Sequence, residues 1–121
     1  QMMARKSDEG TVAGLGWIKA DVKKFDPSTI EFHTKLPHMG WNDVKPTLNH
    51  PLFEGLEKDA IFYFLHSYYF NCNNNNEIIS TSEYGVKFTS SVQHQNIYGI
   101  QFHPEKSHSN GERLLHNFAK L

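Results

Sequence analysis

The stretch from 60 to 65, A-I-F-Y-F-L, is apolar without a break. A run this short with no polar alternation reads as a strand covered on both faces. That constrains the fold more than any other feature, because it favours a layered α/β sheet over an antiparallel sheet with one wet face. Ile97, Tyr98, Ile100 and Phe102 form a second apolar run, read as a buried strand. Leu114, Leu115, Phe118 and Leu121 follow with the spacing of an apolar helical stripe, predicting a C-terminal helix packed on the sheet. Ser109-Asn110-Gly111-Glu112 reads as the capping box that starts it.

Between these anchors the punctuation predicts the rest. Gln1 to Glu9, closed by Gly10, reads as the tail of a helix with a glycine cap. Gly14–Ile18 and on to Val22 and Phe25 read as a strand with turns, Asp26-Pro27-Ser28 as a turn, and Ile30–Thr34 as a half-exposed strand. Leu36 to Asn42 holds both Pro and Gly and should bend, with Trp41 buried in the core. Leu52 to Leu56 reads as one helical turn. The polar tip from Asn71 to Asn76 reads as a loop carrying Cys72, an exposed or half-packed thiol of ordinary acidity. Glu77–Ser82 and Val86–Val92 alternate and predict a hairpin across Tyr84-Gly85.

Composition bounds the class. A chain of 121 residues with 38% hydrophobic content suits one domain, and a net charge of −1 gives no basic patch for nucleic acid or a membrane surface. With Cys72 as the only cysteine there is no disulfide framework, and no apolar run approaches the ~18 residues of a membrane span, so a cytoplasmic protein is expected. Eight histidines raise the question of metal, but no H-E-x-x-H or C-x-x-C spacing occurs, and neither a metal nor a cofactor is expected.

One histidine stands in a chemical setting. In F-H-P-E-K-S, His103 and Glu105 are two apart at the end of an apolar run. Extended backbone puts both on one face, and Pro104 ends the ladder. A lone H-x-E is usually a surface ion pair. It is also the base-plus-orienter half of a nucleophilic triad, in which the carboxylate holds one ring nitrogen protonated and leaves the other to take a proton.

Four strings, taken together and in order, carry a resemblance along nearly the entire chain: G-L-G-W-I, P-H-M-G-W-N, F-Y-F-L-H-S-Y-Y and Q-F-H-P-E-K-S. The chain resembles the class I (triad) glutamine amidotransferases, and among them the glutaminase subunits of imidazole glycerol phosphate synthases. The resemblance implies a flavodoxin-like α/β fold with an antiparallel portion, incomplete at the N-terminus, with residues 1–121 forming the C-terminal part of a single domain. It implies that His103 is general base and acid, that Glu105 orients it, and that Gln1, Ser67 and Tyr68 contact the substrate glutamine. Trp41, Asn42, Tyr63 and Lys106 would face the partner, a TIM-barrel cyclase subunit that receives ammonia in a heterodimer. The family's nucleophilic cysteine would precede Gln1. The chain alone is therefore expected to lack glutaminase activity and to be poorly soluble or dimeric. The alternatives are a paralogue that supplies ammonia for sugar amidation in surface polysaccharides, and a non-catalytic interaction module.

Overall fold

A computed structural model describes residues 1–30, 36–47 and 49–121. The expected strand over Ile30–Thr34 falls largely outside them. The strands run β1 (Lys6–Ser7), β2 (Ala20–Lys24), β3 (His38–Asp43), β4 (Lys45–Pro46), β5 (Ile61–His66), β6 (Tyr68–Cys72), β7 (Ile78–Tyr84), β8 (Val86–His94) and β9 (Ile97–Ile100). An α-helix, α1 (His108–Ala119), follows, and short 3-10 turns occupy Pro27–Thr29, Pro51–Phe53, Asn75–Glu77 and Pro104–Lys106.

The larger sheet has the order β1-β2-β6-β8-β7-β4, with β9 also paired to β8. Among the described residues only β1 and β2 pair in parallel. The β7–β8 hairpin closes through Tyr84 and Val86 as the alternation requires. β3 and β5 form a separate antiparallel ribbon in full register from His38–His66 to Asp43–Ile61. The class is thus mixed α/β with a mostly antiparallel sheet, which is the architecture the resemblance leads one to expect for its antiparallel portion.

The core gathers where the ribbon, the hairpin and α1 meet. Phe62 and Phe64 from β5 pack with Phe25, Phe53, Phe88, Phe102 and Leu114. A second cluster, Ala20, Val22, Phe70, Cys72 and Val92 among its members, lies under β2 and β6.

Several expectations are corrected. Residues 1–9 are not the end of a helix. Arg5 and Asp8 N–H groups donate to the carbonyls of Ala20 and Val22, so strand pairing takes the hydrogen bonds a helix would have used. Gly14 lies so close that a Cβ there would stand 2.1 Å from the Ala4 carbonyl oxygen, and only glycine fits. Gly14, Leu15, Gly16 and Ile18 donate their N–H groups back to this segment without forming a strand of their own.

β5 is not covered on both faces. Phe62, Phe64 and His66 are buried, while Ile61 and Leu65 are each 39% exposed. The expected bend is confined to Leu36-Pro37; from His38 the chain continues as strand β3, which turns Trp41 outward at 49% exposure, not into the core.

Cys72 ends a strand and is buried, not in an exposed tip, and burial pushes its thiol above its ordinary value. The helix starts before the supposed capping box, and Ser109 lies inside it. The residue at its N-cap, Ser107, makes no capping bond because its hydroxyl is engaged elsewhere. The helix buries Gly111, Leu114 and Asn117, leaving Leu115, Phe118 and Leu121 about half exposed. Asn117 docks it through Nδ2 to the carbonyls of Leu52 and Glu54, both at 2.9 Å.

Candidate functional site

His103 leaves β9 at the head of the Pro104–Lys106 turn, with its own N–H donating to the Tyr63 carbonyl at 2.9 Å. Ser107 clamps this corner. Its hydroxyl donates to the His103 carbonyl at 2.6 Å and accepts from the Tyr63 N–H at 3.0 Å. The turn is therefore tied to β5 by backbone and side chain together. Behind it, Gly111 approaches so closely that a Cβ would stand 1.8 Å from the Pro104 carbonyl oxygen. Glycine is thus required for α1 to press against the corner.

On this corner His103 Nδ1 lies 2.8 Å from Glu105 Oε1. A carboxylate only accepts, so Nδ1 carries hydrogen, and in the neutral ring Nε2 keeps its lone pair. Among the described residues no hydrogen bond to Nε2 occurs. The pair is accessible, with side chains 35% and 60% exposed. The Glu105 carboxyl is held below its ordinary value, first by its own backbone N–H and then by the His103 ring.

A cleft of about 720 Å³ opens in front of the pair, and Gln1, His66, Ser67, Tyr68, His103 and Glu105 all line it. Gln1 reaches across it, with Nε2 donating to the Tyr68 carbonyl and to Gln101 Oε1, each at 2.7 Å. The Ser67 carbonyl is held by the Phe25 N–H at 3.3 Å. Residues from both ends of the sequence and from its middle thus meet at one cleft.

The residues expected to face a partner are only partly brought together. Trp41 and Tyr63 are paired across the ribbon, with ring centroids 6.2 Å apart. Lys106 Nζ stands 5.8 Å over the Tyr63 ring. His108, which sequence reasoning did not single out, stacks on Trp41 at 5.3 Å and 15°. Asn42 lies on the opposite face of β3, half-buried, with its amide turned inward to Glu83 and His38.

Sequence reasoning also passed over a buried pair, His38 and His66, whose rings are 2.9 Å apart from Nδ1 to Nε2. Both are pushed down to about 4, each chiefly by burial; His66 lowers His38 further, while for His66 the bond to the Tyr68 carbonyl opposes the fall and the nearby His103 adds to it. The available signal was alternation along β5, which puts His66 on the face of Phe62 and Phe64. Among the described residues no group of three or more His, Cys, Asp or Glu could hold a metal ion, and no helix is long and apolar enough to cross a membrane.

The family model for class-I glutamine amidotransferases matches residues 1–121. Curated relatives include proteins named imidazole glycerol phosphate synthase subunit HisH. The one from Bdellovibrio bacteriovorus is 49% identical over 121 residues, and the match covers all of this chain and 59% of the relative. The one from Leptospira borgpetersenii is also 49% identical, with the same coverage. A HisH 2 from Methanococcus maripaludis is 46% identical over 119 residues, covering 98% of this chain and 57% of the relative. The chain thus spans less than two thirds of the length of these relatives.

Proposed function

The chain belongs to the class-I glutamine amidotransferase family, and on that premise we propose that it is the C-terminal part of a cytoplasmic glutaminase subunit serving histidine biosynthesis. The observation that carries this reading is the His103–Glu105 pair at 2.8 Å, opening on a cleft that also holds Gln1, Ser67 and Tyr68. The names of the relatives support imidazole glycerol phosphate synthesis as the destination of the ammonia.

In this reading a cysteine preceding Gln1 supplies the nucleophile. Cys72 does not, because it is buried in the cluster under β2 and β6 and its acidity is lowered. His103 Nε2 takes the thiol proton, and the thiolate attacks the side-chain carbonyl carbon of glutamine. The tetrahedral oxyanion collapses, the C–N bond breaks, and the imidazolium gives its proton to the departing ammonia. A water then attacks the thioester. His103 removes its proton and returns one to the sulfur as glutamate leaves. Glu105 keeps Nδ1 protonated and the ring aimed throughout.

Ammonia must stay unprotonated to react, which calls for a cover that excludes water. The exposed face carrying Trp41, Tyr63 and Lys106 suits a docked cyclase subunit of TIM-barrel form, and the complex would be a heterodimer. Asn42 would act from the inner face and not as a contact.

The test uses the product of the complete gene with its cyclase. Wild type should release glutamate from glutamine, and His103→Asn should lower that rate by at least about 100-fold. The chain 1–121 alone should release none. A variant at wild-type rate would remove His103 from the mechanism, and complementation of a histidine auxotroph separates this pathway from sugar amidation.

A further inference from the structure

From the cleft inward runs a hydrogen-bonded line, buried at its two imidazoles, that the reaction above does not use. Asn42 Nδ2 donates to the Glu83 carbonyl at 2.8 Å and stands 3.3 Å from His38 Nε2. His38 Nδ1 is 2.9 Å from His66 Nε2, and His66 Nδ1 is 2.8 Å from the Tyr68 carbonyl oxygen. The rings are 3% and 8% exposed. His38 lies between Tyr84 and Phe64, stacked on them at 4.0 and 4.8 Å, which fixes its plane.

Elementary hydrogen-bond accounting gives this line one direction. A carbonyl only accepts, so His66 Nδ1 must bear hydrogen. A neutral ring has a single N–H, so His66 Nε2 must accept, and His38 Nδ1 must donate to it. His38 Nε2 then accepts from the second Asn42 N–H. Every ring nitrogen is satisfied, and neither ring has a lone pair left for chemistry.

The line ends on the Tyr68 carbonyl, inside the cleft, where Gln1 Nε2 is the second donor at 2.7 Å. Two donors on one oxygen set its direction as well as its distance. We propose that His38 and His66 are positioning residues that hold the Tyr68 carbonyl, and with it the Ser67–Tyr68 wall of the cleft, in the geometry that receives the substrate. The assignment of glutamine as that substrate rests on the reading above.

A pair that only filled the core would make different demands. Phenylalanine at 66 would preserve ring and volume, and asparagine would be the worse replacement. Positioning reverses the order, because an asparagine amide can stand where Nδ1–H stood. In the complete protein with its cyclase, His66→Phe should raise KM for glutamine about five- to tenfold with kcat within about twofold. His66→Asn should restore KM to within about twofold of wild type. KM unchanged in the phenylalanine variant, or an asparagine variant no better than it, overturns the proposal. If neither variant folds, nitrogen-15 spectra of the imidazoles in wild type decide. Both His38 and His66 should carry hydrogen on Nδ1, and hydrogen on Nε2 of either overturns the line. If wild type releases no glutamate, the substrate reading fails while the spectra still report on the line.

Discussion

Two of the hydrogen-bonded imidazole pairs in the structure differ in nearly every respect except the ring. His38 and His66 bond to each other in the core, surrounded by Phe25, Phe64 and Phe88. His103 bonds to a carboxylate at the surface. In the core, desolvation disfavours charge, so both rings stay neutral and their protons become fixed structural donors. At the surface, one carboxylate holds one nitrogen and leaves the other open to solvent and cleft. The same side chain is a scaffold where all its nitrogens are engaged and a candidate base where one is not.

The largest consequence is in stability against pH. Unfolded, both core rings titrate near 6.5; folded, near 4. Between those values the unfolded chain binds more protons, so acidification favours it. The contribution is complete above about pH 6.5 and is lost as pH falls toward 4. From pH 7 to 5, where most carboxylates are still charged, the loss should be about 2 kcal/mol per ring. Urea midpoints of the complete protein across that range measure it, and midpoints that do not move would mean the core rings are not held neutral.

The next effect separates the pairs by substitution. His38→Leu leaves the His66 Nε2 and one Asn42 N–H without partners and removes a ring stacked between Tyr84 and Phe64. A cost of about 3 kcal/mol is expected in chemical unfolding. A loss under about 1 kcal/mol would show that water or rearrangement replaces those bonds.

How much of this contrast was legible in the sequence follows from the range of the forces involved. The 103/105 pair was legible because it is local, two residues with an intervening proline, although the structure joins them across the Pro104–Lys106 3-10 turn and not by the extended alternation expected. The β7–β8 hairpin was legible for the same reason. The His38–His66 contact was not, since 28 positions separate the rings and only the β3–β5 register brings them together. The unbroken apolar run of β5 misled for a related cause. Its outer residues Ile61 and Leu65 demand a cover, but nothing in the run says whether that cover lies within this chain. Residues 1–9 failed differently, because short-range glycine and polarity signals favoured a helix while pairing with β2 decided the outcome. The supposed capping box failed because Ser107, not Ser109, stands at the boundary, and its hydroxyl spans β5 and the His103 turn.

The smallest stability effect belongs to the surface pair, and there activity and stability should part company. Glu105 is 60% exposed on its side chain, so its bond to His103 competes with water and is screened by salt. Glu105→Gln should therefore shift Tm by no more than about 2 °C. The amide can still accept a bond from Nδ1, but it no longer favours the imidazolium that forms when His103 holds a proton. Glutaminase turnover in the complete protein should fall at least about tenfold. A variant that lost several degrees of Tm and kept its turnover would invert the contrast, making the surface pair the structural one. Loss of turnover with Tm held is the result that separates an orienting carboxylate from an ordinary surface ion pair.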